Sequence, residues 1–316
     1  MEQTYYTTTH SKLTPSKTKP LVSVSMIAYN QEQYIRQALE SVLAQKTNFP
    51  FEIVIGDDVS TDKTVAICEA YSQKYPHIIR VLKNTVNVGM MANHTRTFKQ
   101  CRGKYIATLE SDDYWIDEFK LQKQIDALES DEKMTICFTG RKDFYEERNE
   151  FVDIPADNNG NRFYIQDFAK ETFFHTCTMV FRNPKTTEWA EKLEGMPMSD
   201  RPMYLSLLNE LGGYAYKVKG ISAVFRLNES SFFTPLKPLQ RTIKAADMYQ
   251  RMKNLFPDLG VHLNKHLNVF DYFILRHEHK NKNKAEVKRL IKQILARPTK
   301  SVGWVLKGKA LLHYFL

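Results

Sequence analysis

A chain of 316 residues with 42% hydrophobic and 26% charged side chains is long enough to bury roughly three quarters of its unfolded surface, which excludes disordered, collagen-like and disulfide-stapled classes. No apolar run reaches the ~18 residues of a membrane-spanning helix, and residues 1–20 are polar, without the apolar stretch of a secretory signal. The net charge of +9 is uneven: residues 1–236 hold 28 Lys/Arg against 31 Asp/Glu, a net of −3, and residues 237–316 hold 17 against 5, a net of +12.

After a flexible leader at 1–20, strands are predicted over 22–28, 51–55, 78–82, 105–109 and 134–138. They alternate with helices over 32–45, 62–75, 90–101 and 117–128. The first helix carries Ile35, Ala38, Leu39, Val42 and Leu43 on one face. Residues 51–55 are near-continuously apolar, as a buried parallel strand requires. Strands alternating with helices imply βαβ units, hence an α/β fold with a mostly parallel central sheet flanked by helices. Beyond 140 the pattern loosens. Residues 146–160, charged and rich in Asn and Asp, read as a loop. Strands are expected over 176–182, 215–219 and 221–226, and helices over 185–193 and 203–211. From 239 the chain reads as helical to its end, broken near Pro257 and Pro298. Cys68, Cys101, Cys137 and Cys177 lie too far apart for a zinc or redox motif and read as reduced thiols.

Ligands of an open α/β sheet bind beyond the carboxyl ends of its strands. Three such ends are polar here: Tyr29-Asn30, the run from Asp57-Asp58 to Asp62, and the run from Glu110 through Asp112-Asp113. Paired carboxylates repel unless a cation or a donor-rich ligand sits between them. Hard oxygen ligands suit Mg²⁺ or Mn²⁺ carrying a diphosphate. Helix capping is the plainer reading for Ser60, Thr61 and Asp62, and residues 84–89 read either as a turn or as a loop folding over a nucleotide.

Taken in order, these motifs resemble family 2 glycosyltransferases of the GT-A fold. The match runs from Ser23 to Tyr29-Asn30, then Tyr34-Ile35 and Leu39 to Gln45, then Glu52 through Asp57-Asp58-Val59-Ser60 to Thr64. It continues with Asn87-Val88-Gly89, Gly103 to Ile106, Glu110 to Trp115, and Lys120 to Gln124. Ser199-Asp200, Gly213-Tyr214 and Val224 to Asn228 resemble the acceptor-side segment, so the match covers about 21–230. The resemblance implies a nucleotide-sugar half at about 21–140, an acceptor half at about 141–236, and a basic helical extension at 237–316. It implies that Ile27, Tyr29 and Asn30 line the nucleotide pocket with Glu32 close by, and that Asp58 bonds the base with Asp57 beside it. Asn87, Gly89 and Arg226 are further substrate-binding candidates. Asp112 would face the ribose or diphosphate, Asp113 would hold Mn²⁺ or Mg²⁺, and Asp200 would be the general base.

Three positions depart from the family pattern. Val59 stands where glycine is usual, so the loop is expected to avoid positive φ there. Ser111 replaces a frequent glycine, and Asn228 stands where many members have histidine. The implied reaction is inverting, metal-dependent transfer of a sugar from a nucleotide-diphosphate sugar, UDP-linked by expectation, to a lipid-linked or surface glycan. The place implied is the cytoplasm, at the inner face of a bacterial membrane. A non-catalytic glycan-binding protein on the same fold and a nucleotidyltransferase are the rivals. The latter usually needs a Gly-rich, cationic loop after the first strand, and Tyr29 to Gln33 has neither glycine nor cation. Tyr114, Trp115, Phe173 and Phe174 are candidates for stacking on sugars or for packing, and His175, near the candidate acceptor strand, reads as structural.

In the basic extension, residues 284–297 form an amphipathic pattern with a Lys/Arg-rich polar face. Two readings stay open: an interfacial helix on an anionic membrane, or a helix packed on its own domain with a solvated basic face. No nucleic-acid-binding module matches, so nucleic acid is not an expected partner.

Overall fold

The computed structural model describes residues 19–155, 162–197, 200–228, 236–298 and 303–315. The expected leader lies almost wholly outside the described residues.

The first half folds as the periodicity predicts. Strands β1 (Val22–Ala28), β2 (Phe51–Asp57), β3 (Ile79–Lys83) and β4 (Tyr105–Thr108) are parallel. Helices α1 (Ile35–Leu43), α2 (Thr64–Lys74) and α3 (Met90–Gln100) connect them. α1 buries Ile35, Ala38, Leu39 and Val42, the face read from the sequence. The spatial order is β3-β2-β1-β4. The chain winds one way from β1 through β3 and then crosses to β4 on the other side of β1. The crevice beyond the carboxyl ends of β1, β2 and β4 is therefore the topological switch point. Gly56 lets α3 approach β2 closely: a Cβ there would stand 2.1 Å from the Thr97 hydroxyl. Asn93 Nδ2 of α3 donates to the Gly56 carbonyl at 2.8 Å, which fixes the strand end that carries Asp57.

The second half extends the sheet from β4 through residues 180–182, 134–145 and 214–227 to residues 114–115. Its elements are β5 (Tyr114–Trp115), α4 (Lys120–Ser130), β6 (Met134–Tyr145), β7 (Glu150–Ile154), β8 (Arg162–Phe163) and α5 (Ile165–Lys170). β9 (Val180–Arg182), α6 (Glu188–Glu191), α7 (Asp200–Leu211) and β10 (Tyr214–Leu227) follow. β9 is antiparallel to both β4 and β6, and β10 is parallel to β6 and antiparallel to β5. Residues 146–160, expected as a loop, contain the edge strand β7, paired with an extended β6 and stapled by stacking of Phe144 on Phe151 at 4.3 Å. The two strands expected within 215–226 are one strand, β10, with a register shift between Lys217 and Ile221, where Gly220 has φ 113°. The strand expected over 176–182 begins as a 3₁₀ turn, Thr176–Thr178.

The core lies on both faces of the sheet. One cluster joins Met26, Ile53 and Ile55 to Leu39 of α1 and Leu121 of α4. The other joins Phe138 and Phe181 to Phe98 of α3 and Tyr204 of α7. Helices α8 (Pro238–Leu255) and α9 (Gly260–Lys280) supply Met248, Met252, Leu263 and Leu267 to this second cluster, so the basic extension grows out of the main core. α10 (Lys284–Ala296) closes Val287, Leu290, Ile291 and Ile294 onto Ile274 and Leu275 of α9. The apolar face of the amphipathic segment is thus packed within the protein. α11 (Trp304–Phe315) follows.

Candidate active site

At the carboxyl ends of β1 and β2 the polar residues bind one another. Asn30 adopts the left-handed region (φ 53°), which asparagine tolerates better than most residues. Its Oδ1 accepts from the Thr61 amide at 2.8 Å, and the Ser60 hydroxyl accepts from the Asn30 amide at 2.9 Å. Glu32 Oε2 accepts from the Lys63 amide at 2.9 Å. Asp62 accepts from the Glu32 and Thr64 amides, so it serves the start of α2. The buried Asp57 carboxylate accepts from both the amide and the hydroxyl of Ser60. Between these anchors Val59 has φ 67°, contrary to the expectation that the loop avoids positive φ there.

Asp58, also buried, folds the 84–89 loop around itself. Its carboxylate accepts from Asn84 Nδ2 at 2.8 Å, the Val88 amide at 2.9 Å and the Gly89 amide at 2.8 Å, and its carbonyl accepts from Asn87 Nδ2 at 3.0 Å. Gly89 has φ 82°, which glycine alone adopts freely. A carboxylate offers about four acceptor sites, so Asp58 keeps capacity for about one more donor. Ile27 is half-buried at the Gly56 register position, and Tyr29 is exposed at the end of β1.

The second cluster forms where β4, β10 and α7 converge. Pairing of Val224 with Tyr114 brings Arg226 beside the Asp112-Asp113 turn. The Arg226 amide donates to Asp113 Oδ1 at 2.9 Å, and its Nε donates to the Asp112 carbonyl at 2.9 Å. Its guanidinium also donates to Gln37 Oε1 at 2.7 Å and lies 4.6 Å from the centre of the Tyr34 ring. Arg226 is buried and occupied, holding the turn in place. Asp113 Oδ2 is buried without a hydrogen-bond partner. Burial, then Asp112 and Glu110, hold the Asp113 carboxyl well above the usual carboxylate range. Burial also raises Asp112, and burial followed by the charge of Asp200 pushes Glu110 up to about 8. This is a site short of positive charge.

His175 stands in the middle of it. Its Nδ1 is 3.9 Å from Asp113 Oδ2, and its Nε2 is 3.5 Å from Oδ2 of Asp200, in the first turn of α7. Asp113, His175 and Cys177 present ligand atoms within 4.8 Å of one another, a metal-ligand grouping found among the described residues. The residues fit a divalent cation: a buried carboxylate oxygen lacks a partner, and an imidazole faces it. Burial holds the Cys177 thiol well above its usual range, which leaves it protonated and a poor ligand for hard ions.

The structure therefore brings Asp112, Asp113, Asp200 and Arg226 together, and gathers Asn30, Glu32, Asp57, Asp58, Asn87 and Gly89 in the adjoining loops. Asn228 lies on a cleft of about 430 Å³ that it shares with Asn30, Glu32, Asp62, Glu146 and Glu147. Trp115 and Phe174 are core residues: Trp115 donates to the Cys177 carbonyl at 2.8 Å, and Phe174 stacks on Phe138 at 4.1 Å. The sequence reading placed Glu110 in the strand-end run without giving it a role, did not single out His94, and read His175 as structural. His94, on the buried face of α3, lies 3.9 Å from Glu110. Nothing in the spacing of His94 distinguishes it from a core residue.

The sequence profile of glycosyl transferase family 2 matches residues 23–186. An uncharacterized protein of Mycobacterium tuberculosis is 32% identical over 207 residues, which are 65% of this chain and 58% of that protein. The chain thus spans little more than half of that relative. The putative teichuronic acid biosynthesis glycosyltransferase TuaG of Bacillus subtilis is 29% identical over 216 residues, 67% of this chain and 81% of its own. Among solved structures, Staphylococcus aureus TarS 1–349 in complex with UDP-GlcNAc superposes with a TM-score of 0.64 at 17% identity, over 93% of this chain and 87% of TarS 1–349. The mannosyltransferase PcManGT of Pyrobaculum calidifontis, in complex with GDP-Man and Mn²⁺, superposes with a TM-score of 0.56 at 16% identity, over 94% of this chain and 81% of its own.

Proposed function

The chain belongs to glycosyl transferase family 2, and from that premise we propose inverting transfer of a sugar from a UDP-linked donor to a hydroxyl of a lipid-linked or surface glycan. The observation that carries this reading is the meeting of Asp113, His175 and Asp200 at the carboxyl ends of the sheet, with a buried Asp113 oxygen left unpartnered. The UDP-GlcNAc held by TarS supports the donor, and the teichuronic acid biosynthesis for which TuaG is named supports a surface-polysaccharide acceptor.

In this reading Ile27, Tyr29, Asn30 and Asp58 bind the nucleoside, with the 84–89 loop closing beside them. Asp112 faces the ribose or diphosphate, and Asp113 holds Mn²⁺ or Mg²⁺. The Mn²⁺ of PcManGT supports the cation. Bound there, such an ion would neutralise charge growing on the leaving diphosphate. Arg226 keeps the Asp112-Asp113 turn in register. Asp200 accepts the proton of the acceptor hydroxyl, and attack from its side, opposite the leaving group, inverts the anomeric carbon. Among the described residues no helix is long and apolar enough to cross a membrane. We place the enzyme at the cytoplasmic face of the membrane through its basic extension.

The test is transfer from a panel of nucleotide sugars in Mn²⁺, with product configuration read by NMR. Asp200→Asn keeps the shape and hydrogen-bond acceptor of the side chain but cannot take a proton. It should lower the rate roughly 10²–10⁴-fold while donor binding and melting temperature stay near wild type. A wild-type rate in Asp200→Asn, or a retained configuration, would overturn the reading.

A further inference from the structure

His175 has a backbone that its surroundings fix and two ring nitrogens that face two different carboxylates. The Thr178 amide and hydroxyl both donate to the His175 carbonyl, at 3.0 and 2.8 Å, and the Thr108 hydroxyl donates to the Thr176 carbonyl at 2.7 Å. The imidazole lies against Phe225, ring centres 4.0 Å apart. Phe225 precedes Arg226, whose amide occupies Asp113 Oδ1. The same strand end therefore locks the ring and turns the other Asp113 oxygen toward it.

The gap between them is informative. Asp113 Oδ2 and His175 Nδ1 stand 3.9 Å apart, too far for a hydrogen bond. Ligand atoms about 2.1 Å from one ion lie roughly 3 Å apart when cis in an octahedron, and farther apart at wider angles. The two atoms need to close by less than about 1 Å to share a cation. On the far side of the ring, Nε2 is 3.5 Å from Asp200 Oδ2. At 3.5 Å the pair is in ion-pair contact, a few tenths of an ångström longer than a hydrogen bond. An Nε2–H that closes on the carboxylate leaves Nδ1 with the bare lone pair, the usual arrangement of a ligating histidine and its supporting carboxylate. The Thr176 hydroxyl, 3.3 Å from Nδ1, serves that nitrogen when no ion does.

We propose that His175 Nδ1 is a ligand of the divalent cation held by Asp113, and that Asp200 orients the imidazole through Nε2. The proposal rests on the metal-dependent reading above and extends it: the residue that takes the acceptor's proton is coupled to the metal through one side chain. It also sets a preference. A carboxylate-imidazole pair suits Mn²⁺ better than Mg²⁺, which favours oxygen ligands throughout.

The test uses the full chain and the metal alone, following free Mn²⁺ by electron paramagnetic resonance. Wild-type protein should bind Mn²⁺ at least tenfold more tightly than Mg²⁺, measured by competition. His175→Gln should weaken Mn²⁺ at least tenfold and narrow that ratio. Asp200→Ala should weaken Mn²⁺ roughly 10–100-fold, as loss of a supporting carboxylate does; a base with no tie to the metal would leave Mn²⁺ affinity unchanged. Should either variant fold poorly, electron spin echo modulation of the wild-type Mn²⁺ complex reports directly whether a ¹⁴N nucleus is bound. Mn²⁺ bound through Asp113 with no ¹⁴N modulation, or with unchanged affinity in His175→Gln, overturns the role of His175 and leaves the metal-dependent reading standing. Failure of the wild-type protein to bind Mn²⁺, or unchanged binding in Asp113→Asn, overturns both.

Discussion

Val59 is a β-branched residue held at φ 67°. Left-handed backbone costs a non-glycine residue roughly 1–2 kcal/mol. The strain persists because the turn is fixed from both sides: Asp57 grips Ser60, and Asp58 is tied to Asn84, Asn87, Val88 and Gly89. Val59→Gly should therefore raise stability by about 1 kcal/mol, after allowance for the greater unfolded-state freedom of glycine, with donor binding unchanged. An unchanged or lower melting temperature would contradict it. The sequence placed Asp57 and Asp58 at a strand end, but beside the local Asp57–Ser60 bonds the turn at 59 is held by residues 84–89, 26 to 31 positions from Asp58, and no local pattern reveals those ties. His94 carries a second prediction. It is fully buried, both ring nitrogens lack partners, and burial pushes its pKa down to about 4. Between pH 6.5 and 4 the unfolded chain binds a proton at this position that the folded chain does not, so its contribution to stability is full above pH 6.5 and is lost as pH falls through that window. The loss approaches roughly 3 kcal/mol, at 1.36 kcal/mol per pH unit. Glu110, raised to about 8, acts in the opposite sense, losing stability as pH rises from about 4.5 toward 8. The stability difference between wild type and His94→Met isolates the histidine. It should shift in favour of the variant as pH falls from 7 to 4.5, and a flat difference would refute the assignment.

At the scale of elements, the first half was legible because each helix shows an apolar face and each central strand an apolar run. α1 and β2 follow from their own residues. β7 did not, because an edge strand needs only one neighbour and can be charged: Glu150 to Ile154 depends on pairing with β6 and on Phe151 stacking on Phe144. Asp200 and Asp113 were legible as motif residues, but their connection was not, since His175, which stands between them, precedes a 3₁₀ turn lying between the two motifs. The C-terminal helices show the same division. The period of α10 names its apolar face, whereas what covers that face is decided by α9. Arg297 adds a tie that no periodicity predicts. Its guanidinium donates to Asn268 Oδ1 and Asp271 Oδ2, both at 2.6 Å, inside the extension. Removing one partner of a buried ion pair costs roughly 3–5 kcal/mol. Arg297→Ala should therefore release α10 and α11 first. Hydrogen exchange of α10 amides should quicken at least a hundredfold while β1, β2 and β4 keep their protection. Equal loss of protection in both regions would show that the extension and the sheet unfold together.

For the molecule as a whole, charge is divided between a near-neutral body and an extension of +12. That asymmetry was plain from counting, but which atoms face outward was not. With Val287, Leu290, Ile291 and Ile294 packed on α9, the surface that α10 presents is basic: Lys284, Lys288 and Lys292 are all exposed, four residues apart on one face. Insertion into lipid would require α10 to unpack from Ile274 and Leu275, exposing a buried cluster to water on the way. Electrostatic docking needs no rearrangement, and each lysine near an anionic surface is worth about 1 kcal/mol. The two modes differ in their response to salt. At 0.15 M ionic strength the screening length is about 8 Å, and at 1 M about 3 Å, so docked protein should leave the membrane as salt rises, whereas an inserted helix would stay. The protein should sediment with vesicles rich in phosphatidylglycerol at low salt and be released as ionic strength approaches 1 M. Replacing Lys284, Lys288 and Lys292 by Gln together should weaken vesicle binding at least tenfold, with transfer to a soluble acceptor unchanged. Removing residues 284–316 should do the same and leave a folded body, because the cluster shared by Phe138, Phe181, Met252 and Leu263 lies wholly before the cut. Salt-resistant binding, or binding that survives the triple replacement, would instead require α10 to open and its apolar face to enter the lipid.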